Sequence, residues 1–391
     1  MATTSGELRA HNRVRLLRAV HDCGATLTRS RLTRGLDLAR GTASVLVGGL
    51  VEDELLHEKP APEHPRGRPT LVPGPHPRGP LVLAADLRED AWELAACELG
   101  GRVTVLAEQD HDGTPEGALL PLGAAIRAQR GSPRGRVVGA GVAVAGPVRA
   151  GGLVDVPHLR WRSVNVPELL GLPDGWVRVG NDTALAGLAE ARRGLLRGVQ
   201  VALHLHVDFD LGGVLVVGGH PLGGASGMGA EFGHMPLTGG SEPCMCGAHG
   251  CWALEVGANA LLRHLGLAYG GGRGRDQARL LLARAAAGEE AASAAVTANS
   301  RALGRGIAAL VNAHDPEVVT LSGLAPDLHD RAAPALSRAF EDGLMTIRRD
   351  RPPRIIPSAL GRRGSLLGAM ESVFDAFLTP EGLATWLSVR S

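Results

Sequence analysis

In the first sixty residues, apolar side chains recur at helical spacing in three separated runs. Val14, Leu16, Leu17 and Val20 predict a helix over 9–22 that stops at Cys23-Gly24. A short second helix is expected over 28–35. Ala43, Val45, Leu46 and Leu50 predict a third over 40–50. Ala39 stands where a capping Ser or Asp is preferred, a loss of roughly 1 kcal/mol, and Gly48-Gly49 lowers the propensity further. The turn-rich stretch from Pro60 through Gly67-Arg68-Pro69 suits a wing between two short strands, and 73–80 (PGPHPRGP) reads as a stiff linker.

Beyond residue 80 the pattern changes. Strands are expected over 81–86, 92–98, 136–144 and 176–179, with helices over 117–130 and 183–195, and the alternation continues to the end. That order predicts α/β layers, with no short-period repeat. The 391 residues suit two or three domains, and 55 Gly and 25 Pro are spread along the chain rather than gathered in a disordered tract. The N-terminus carries no apolar leader core and no run has the length of a membrane span, so a cytoplasmic protein with no membrane partner is expected. Thiols in that compartment stay reduced, which directs a tight cysteine cluster toward metal or catalysis.

Charge changes the reading of the N-terminal helices. The chain carries a formal net charge of +1, yet residues 1–45 hold eight Arg against Glu7, Asp22 and Asp37, leaving the remainder slightly acidic. A basic patch of this kind attracts phosphate. Three short helices and a turn-rich ribbon fit a winged helix-turn-helix over 1–72, whose third helix would enter the major groove. Arg40, Thr42 and Ser44 are the candidates there for base contacts, with Arg29 nearby, and Arg66 and Arg68 are placed for the backbone or minor groove. A helical protein–protein module is the alternative.

The densest local chemistry is Gly229-Ala-Glu-Phe-Gly-His234 followed by Cys244-Met-Cys246 and Cys251 through Glu255. Three thiols in a Gly-rich knuckle and one upstream imidazole make a Cys₃His set, the tetrahedral set of structural zinc. His249 is an alternative fourth ligand, and three buried cysteines are the alternative to any metal. Cys23 and Cys97 read as ordinary buried residues. Glu231 and Glu255 bracket the knuckle, and Asn181-Asp182 opens a helix after the strand at 176–179. Such groups gathered round a pocket bind sugar hydroxyls in fixed directions, whereas singly each is a surface acid or a helix cap.

On these residues the chain resembles the ROK family (repressors, open reading frames, kinases), in its xylose-repressor-like branch. The resemblance runs through the head, Val142-Ala-Val-Ala-Gly-Pro147, Trp161, Gly180–Ala184, Gly229–His234, the knuckle through Glu255, Asp315–Leu324 and Leu367-Gly-Ala369. It implies a two-lobed actin/hexokinase-like (ribonuclease H-like) domain over 81–391. The first lobe would span about 81–180, the second about 181–365, and a C-terminal helix at 365–378 would pack back on the first. It further implies zinc on His234, Cys244, Cys246 and Cys251, and a sugar site of Asn181, Asp182, Glu231, His234 and Glu255. His234 would serve both, one ring nitrogen on the metal and the other toward a hydroxyl.

In kinases of that family the residue matching Asp182 is the general base. Here the phosphate-binding pattern Asp-x-Gly-Gly-Thr is replaced by Asp86-Leu-Arg-Glu-Asp90, and Asp208 and Asp210 stand near small-residue positions of a second loop. Side chains in place of glycine block the approach of backbone amides to phosphate, and added carboxylates repel it. The expectation is a DNA-binding repressor of carbohydrate metabolism, a homodimer or homotetramer on operator DNA, answering to a sugar or sugar phosphate and lacking kinase activity. A sugar kinase with a fused head is the alternative, and a regulator with a vestigial pocket is a third reading.

Overall fold

A computed structural model describes residues 5–61, 70–130, 135–173, 175–270 and 274–390. The head consists of α1 (Ser5–Asp22), α2 (Arg29–Gly35), α3 (Arg40–Glu52) and the antiparallel hairpin β1 (Leu56–Pro60) with β2 (Leu71–Pro75). Thr28 caps α2 through the Arg31 amide, while α3 starts at Ala39 with no side-chain cap, as its sequence implied. The segment expected as linker from residue 73 begins inside β2, because Pro73 and Gly74 pair with Glu58 and His57; the connection shortens to 76–80. Arg66 and Arg68 lie outside the described residues.

The first lobe contains β3 (Leu81–Leu87), β4 (Ala91–Glu98), β5 (Val103–Asp110), α4 (Pro115–Arg130) and β6 (Val137–Val144). There follow a small antiparallel sheet of β7 (Val148–Arg149), β8 (Leu153–Val156) and β9 (Trp161–Asn165), then α5 (Val166–Leu170) and β10 (Val177–Asn181). α6 (Asp182–Arg193) crosses to the second lobe, which opens with β11 (Val201–Val207), β12 (Leu211–Val217) and β13 (His220–Pro221). It continues with α7 (Ala258–His264), α8 (Arg275–Ala286), α9 (Glu290–His314), β14 (Val318–Gly323), α10 (Ala325–Arg331), α11 (Ala333–Gly343), α12 (Thr346–Arg349) and β15 (Arg354–Pro357). The chain returns through α13 (Gly364–Phe377) and α14 (Pro380–Ser388).

The two large sheets are built alike. Their orders are β10-β6-β3-β4-β5 and β13-β12-β11-β14-β15. In both, an antiparallel three-strand meander is extended by two parallel strands on the side of its first strand. This duplication is the two-lobed ribonuclease H-like architecture expected above. Parallel strands covered on both faces read as near-continuous apolar runs, as in β3 and β6, both buried over most of their length.

Apolar burial divides among the lobes and the head. Leu203, Leu205, Trp252, Leu303 and Ile307 centre the second lobe, and Leu83, Trp92, Leu119 and Val142 the first. A third cluster joins Leu16, Leu17, Val20 and Leu50 of the head to Val82, Met370, Phe374, Phe377 and Trp386. The C-terminal helix therefore packs on the back of the first-lobe sheet and also carries the head. Trp386 of α14, an element the sequence reading did not isolate, donates Nε1–H to the Asp53 carbonyl at 3.0 Å. α6 and α13 cross at backbone contact: a Cβ on Gly368 would lie 1.9 Å from the Leu185 carbonyl oxygen, so no other residue fits there without parting the helices.

Candidate functional site

Between the lobes lies a cleft of about 870 Å³, lined among others by Asn181, Asp182, His206, Asp210, Glu231 and His234. β10 and α6 deliver the first two. The Asn181 side-chain oxygen caps α6 by accepting from the Ala184 amide at 2.9 Å, and its Nδ2 donates to the Gly146 carbonyl at 3.0 Å. Asp182 Oδ1 accepts from the Thr183 amide at 2.6 Å, which fixes the carboxyl at the helix start. Burial raises the Asp182 pKa, a shift that the neighbouring His206 partly offsets. Glu231 reaches the same space from the 229–234 segment. Burial, then the Asp182 charge, pushes its carboxyl up to about 7, although a third of the side chain faces the open cleft. Two carboxyls so placed are strong acceptors for converging hydroxyls.

His206 was not among the expected site residues. Its Nδ1 pairs with Ser322 Oγ at 2.8 Å, and Ser322 Oγ in turn meets Nε2 of buried His204 at 3.1 Å. Only the placement of Asp182 on the neighbouring element makes it meaningful. Glu255, by contrast, does not line the cleft: it forms an ion pair with Arg305 of α9.

The ligand atoms of His234, Cys244, Cys246 and Cys251 all lie within 4.8 Å of one another. Cys246 Sγ and Cys251 Sγ are 3.7 Å apart, and Cys244 Sγ is 3.7 Å from His234 Nδ1. Tetrahedral coordination with Zn–S near 2.3 Å requires sulfur pairs about 3.8 Å apart, so the donor set fits a metal ion of that kind. His249 is outside this group and sits in an isolated bridge with Pro243. The other ring nitrogen, His234 Nε2, faces Glu231 Oε2 at 3.9 Å. Burial lowers the His234 pKa, favouring the neutral ring a metal requires, and pushes the Cys251 thiol up to about 12, so metal binding there must release a proton.

Elsewhere in and around the cleft, charged side chains pair with one another. Asp86 is 8% exposed, and burial pushes its pKa up to about 7 despite Arg88. Arg88 lies 3.7 Å from Asp86, 3.5 Å from Asp90 and 3.1 Å from Glu108. From the second lobe, Arg275 grips both oxygens of Asp208 and approaches Asp90 at 3.7 Å. His158 of the first lobe binds Asp210 of the second, and Asn259 Nδ2 holds the other Asp210 oxygen at 3.1 Å.

On the head, Arg40, Thr42 and Ser44 are all exposed at the start of α3, together with Val45 at 58%. Ala43, Leu46, Val47 and Leu50 turn inward, so one face of α3 is free. Arg29 instead lies against the wing strand, 3.3 Å from Glu58.

Two lobes of one repeated strand order around a polar cleft, fused to three helices and a hairpin, define an actin-like, sugar-kinase-type domain carrying a winged helical head. The chain belongs to the ROK family, whose sequence pattern matches residues 96–375. It is 30% identical to the kanosamine kinase of Amycolatopsis mediterranei over 63% of this chain and 79% of that one. The match to the xylose repressor of Bacillus spizizenii, at 21% identity, spans 90% of this chain and 92% of the relative. A solved ROK family transcriptional regulator, described as a homologue of the E. coli MLC protein, superposes with a TM-score of 0.73 over 98% of this chain and 100% of its own, at 22% identity. Among the described residues no helix is long and apolar enough to cross a membrane.

Proposed function

We propose that this chain is a sugar-responsive transcriptional repressor of carbohydrate metabolism. The carrying observation is the head. It presents the free N-terminal half of α3 to solvent, and the relatives that match across it are regulators, whereas the kanosamine kinase match covers 63% of the chain. Arg40, Thr42 and Ser44 read base edges in the major groove; Arg66 and Arg68 add phosphate or minor-groove contacts, and Arg29 steadies the wing from within. Two such heads in a homodimer or homotetramer grip a palindromic operator in the cytoplasm.

The effector is a sugar held by Asn181, Asp182, Glu231 and His234, with Glu255 joining if its pair with Arg305 opens. Zinc on His234 and the three cysteines fixes the loop bearing Glu231 and the His234 ring. A kinase with a fused head is disfavoured. Phosphoryl transfer needs cations and amides free for the triphosphate, and Arg88 and Arg275 are already engaged by Asp86, Asp90, Asp208 and Glu108. The test is to select duplexes from a random pool with the full chain, then measure their affinity against salt and in the presence of D-xylose or D-glucose. A steep salt dependence with one sugar changing affinity supports the reading; binding that no sugar or sugar phosphate alters overturns its effector half.

A further inference from the structure

Two acids on one face of α13 join the head to α6. Asp375 accepts from Arg18 Nη1 of α1 at 2.6 Å and from Arg192 Nη2 of α6 at 3.3 Å. One turn earlier, Glu371 meets His21 Nε2 of α1 at 3.1 Å and accepts from Arg193 Nε of α6. Each acid thus bridges one cationic or imidazole group of the head and one arginine of α6. His21 and Glu371 are both 0% exposed. The Gly100 amide donates to His21 Nδ1 at 3.0 Å, and His21 Nε2 lies between Glu371 Oε2 at 3.1 Å and Arg193 Nη2 at 2.7 Å. Arg193 Nη1 also donates to the carbonyls of Gly100 at 3.2 Å and His21 at 3.4 Å. Burial pushes the Glu371 carboxyl up, but the hydrogen bond and charge from His21 and the Arg193 guanidinium bring it below the usual carboxylate range.

The same helix serves the cleft at its other end. α6 begins with Asp182, capped by Asn181, and ends with Arg192 and Arg193. Its 12 residues span about 18 Å. Backbone contact at Gly368 leaves no slack between α6 and α13, so displacement at the cleft is not absorbed by compressing that crossing. Buried charges tolerate little misalignment, because a carboxylate that loses its cation has no solvent to replace it. An interface of this kind switches between discrete arrangements rather than deforming smoothly.

We propose that Arg193 and Glu371, supported by Arg192 and Asp375, are the coupling residues that carry occupancy of the cleft along α6 to the head, an inference that rests on the sugar-responsive reading above. The test uses the full chain with Glu371→Gln, which keeps the shape and removes the charge, and Arg193→Lys, which keeps the charge and removes the planar guanidinium that reaches Glu371, His21 and Gly100 together. Arg390→Gln is the control: Arg390 also ties body to head, through Glu54 and the Arg78 carbonyl. Three readouts are needed: the thermal melt, calorimetric binding of D-glucose and D-xylose, and the ratio of operator affinities without and with the bound sugar.

The wild type and Arg390→Gln are expected to show at least about a 10-fold ratio, within the usual span of coupling free energies. The two coupling variants should bind sugar within about 3-fold of wild type, yet their ratio should fall below about 2-fold. Should Glu371→Gln not fold, Arg193→Lys with Arg192→Gln decides the question. A lower melting temperature with an unchanged ratio would mean that the cluster only glues the head on, and the proposal fails. It fails equally if Arg390→Gln abolishes the ratio. A wild type with no sugar response would remove the functional reading and this coupling with it.

Discussion

Asp210 of the second lobe binds Nε2 of His158 of the first, directly across the cleft. Burial pulls the imidazole down, but the hydrogen bond and charge of Asp210, with Glu89 behind, raise its pKa to about 9. Arg275 crosses the same gap to Asp90. The lobes are thus clasped across the cleft by the chain's own charges.

That clasp sets a pH window. A histidine raised from 6.5 to about 9 adds stability that is fully present below pH 6.5 and lost as pH rises through about 9. Thermal melts of wild type and His158→Gln should therefore differ most near pH 6 and converge toward pH 9.5. A gap that widened with pH would reverse the assignment.

The cleft residues carry a separate expectation. Hydrogen bonds to charged groups contribute about 1.5–3 kcal/mol, so Asp182→Asn and Glu231→Gln should each weaken sugar binding roughly 10- to 100-fold by calorimetry. Operator affinity without sugar should stay within about 2-fold, since neither side chain approaches the head. With ATP and sugar added to the wild-type chain at high concentration, no sugar phosphate should form.

Metal content tests the knuckle. Purified protein should hold about one zinc per chain, as a closed four-ligand site requires. Cys246→Ser should lose it and weaken sugar binding about 10-fold, because His234 and Glu231 then lose their common anchor. Full metal retention by that variant would argue for another ligand set.

On the head, Arg40→Ala should cost about 1–3 kcal/mol of operator affinity and relax the preference at one base position, as loss of a bidentate base contact does. Arg29→Ala should act through stability instead, since Arg29 already engages Glu58. Anisotropy with matched and single-substituted duplexes separates the two behaviours.

Much of this was legible in the residues. The first and third head helices followed from the spacing of Leu16, Leu17, Leu46 and Leu50, all of which are buried. The grouping of the three cysteines was readable because they lie within eight positions, and the structure adds His234 rather than His249 to them. The rest depended on long-range pairing. β5 carries mostly exposed residues and has no apolar alternation to betray it. The linker boundary slipped because Pro73 and Pro75 mark a turn locally but lie in an edge strand, where a missing amide costs nothing. His158, Arg275, His21 and Glu371 belong to no motif; each gains its role from a partner at least 52 positions away. Glu255, read from the knuckle, pairs with Arg305 because α9 passes beside it.

The central claim is that sugar in the cleft changes how the head holds DNA. The most direct measurement is the dissociation constant of the full chain for its selected duplex, at one fixed salt concentration, with and without the sugar that raises its melting temperature. A change of at least about 10-fold is predicted; equal constants in the presence of saturating, demonstrably bound sugar would contradict it.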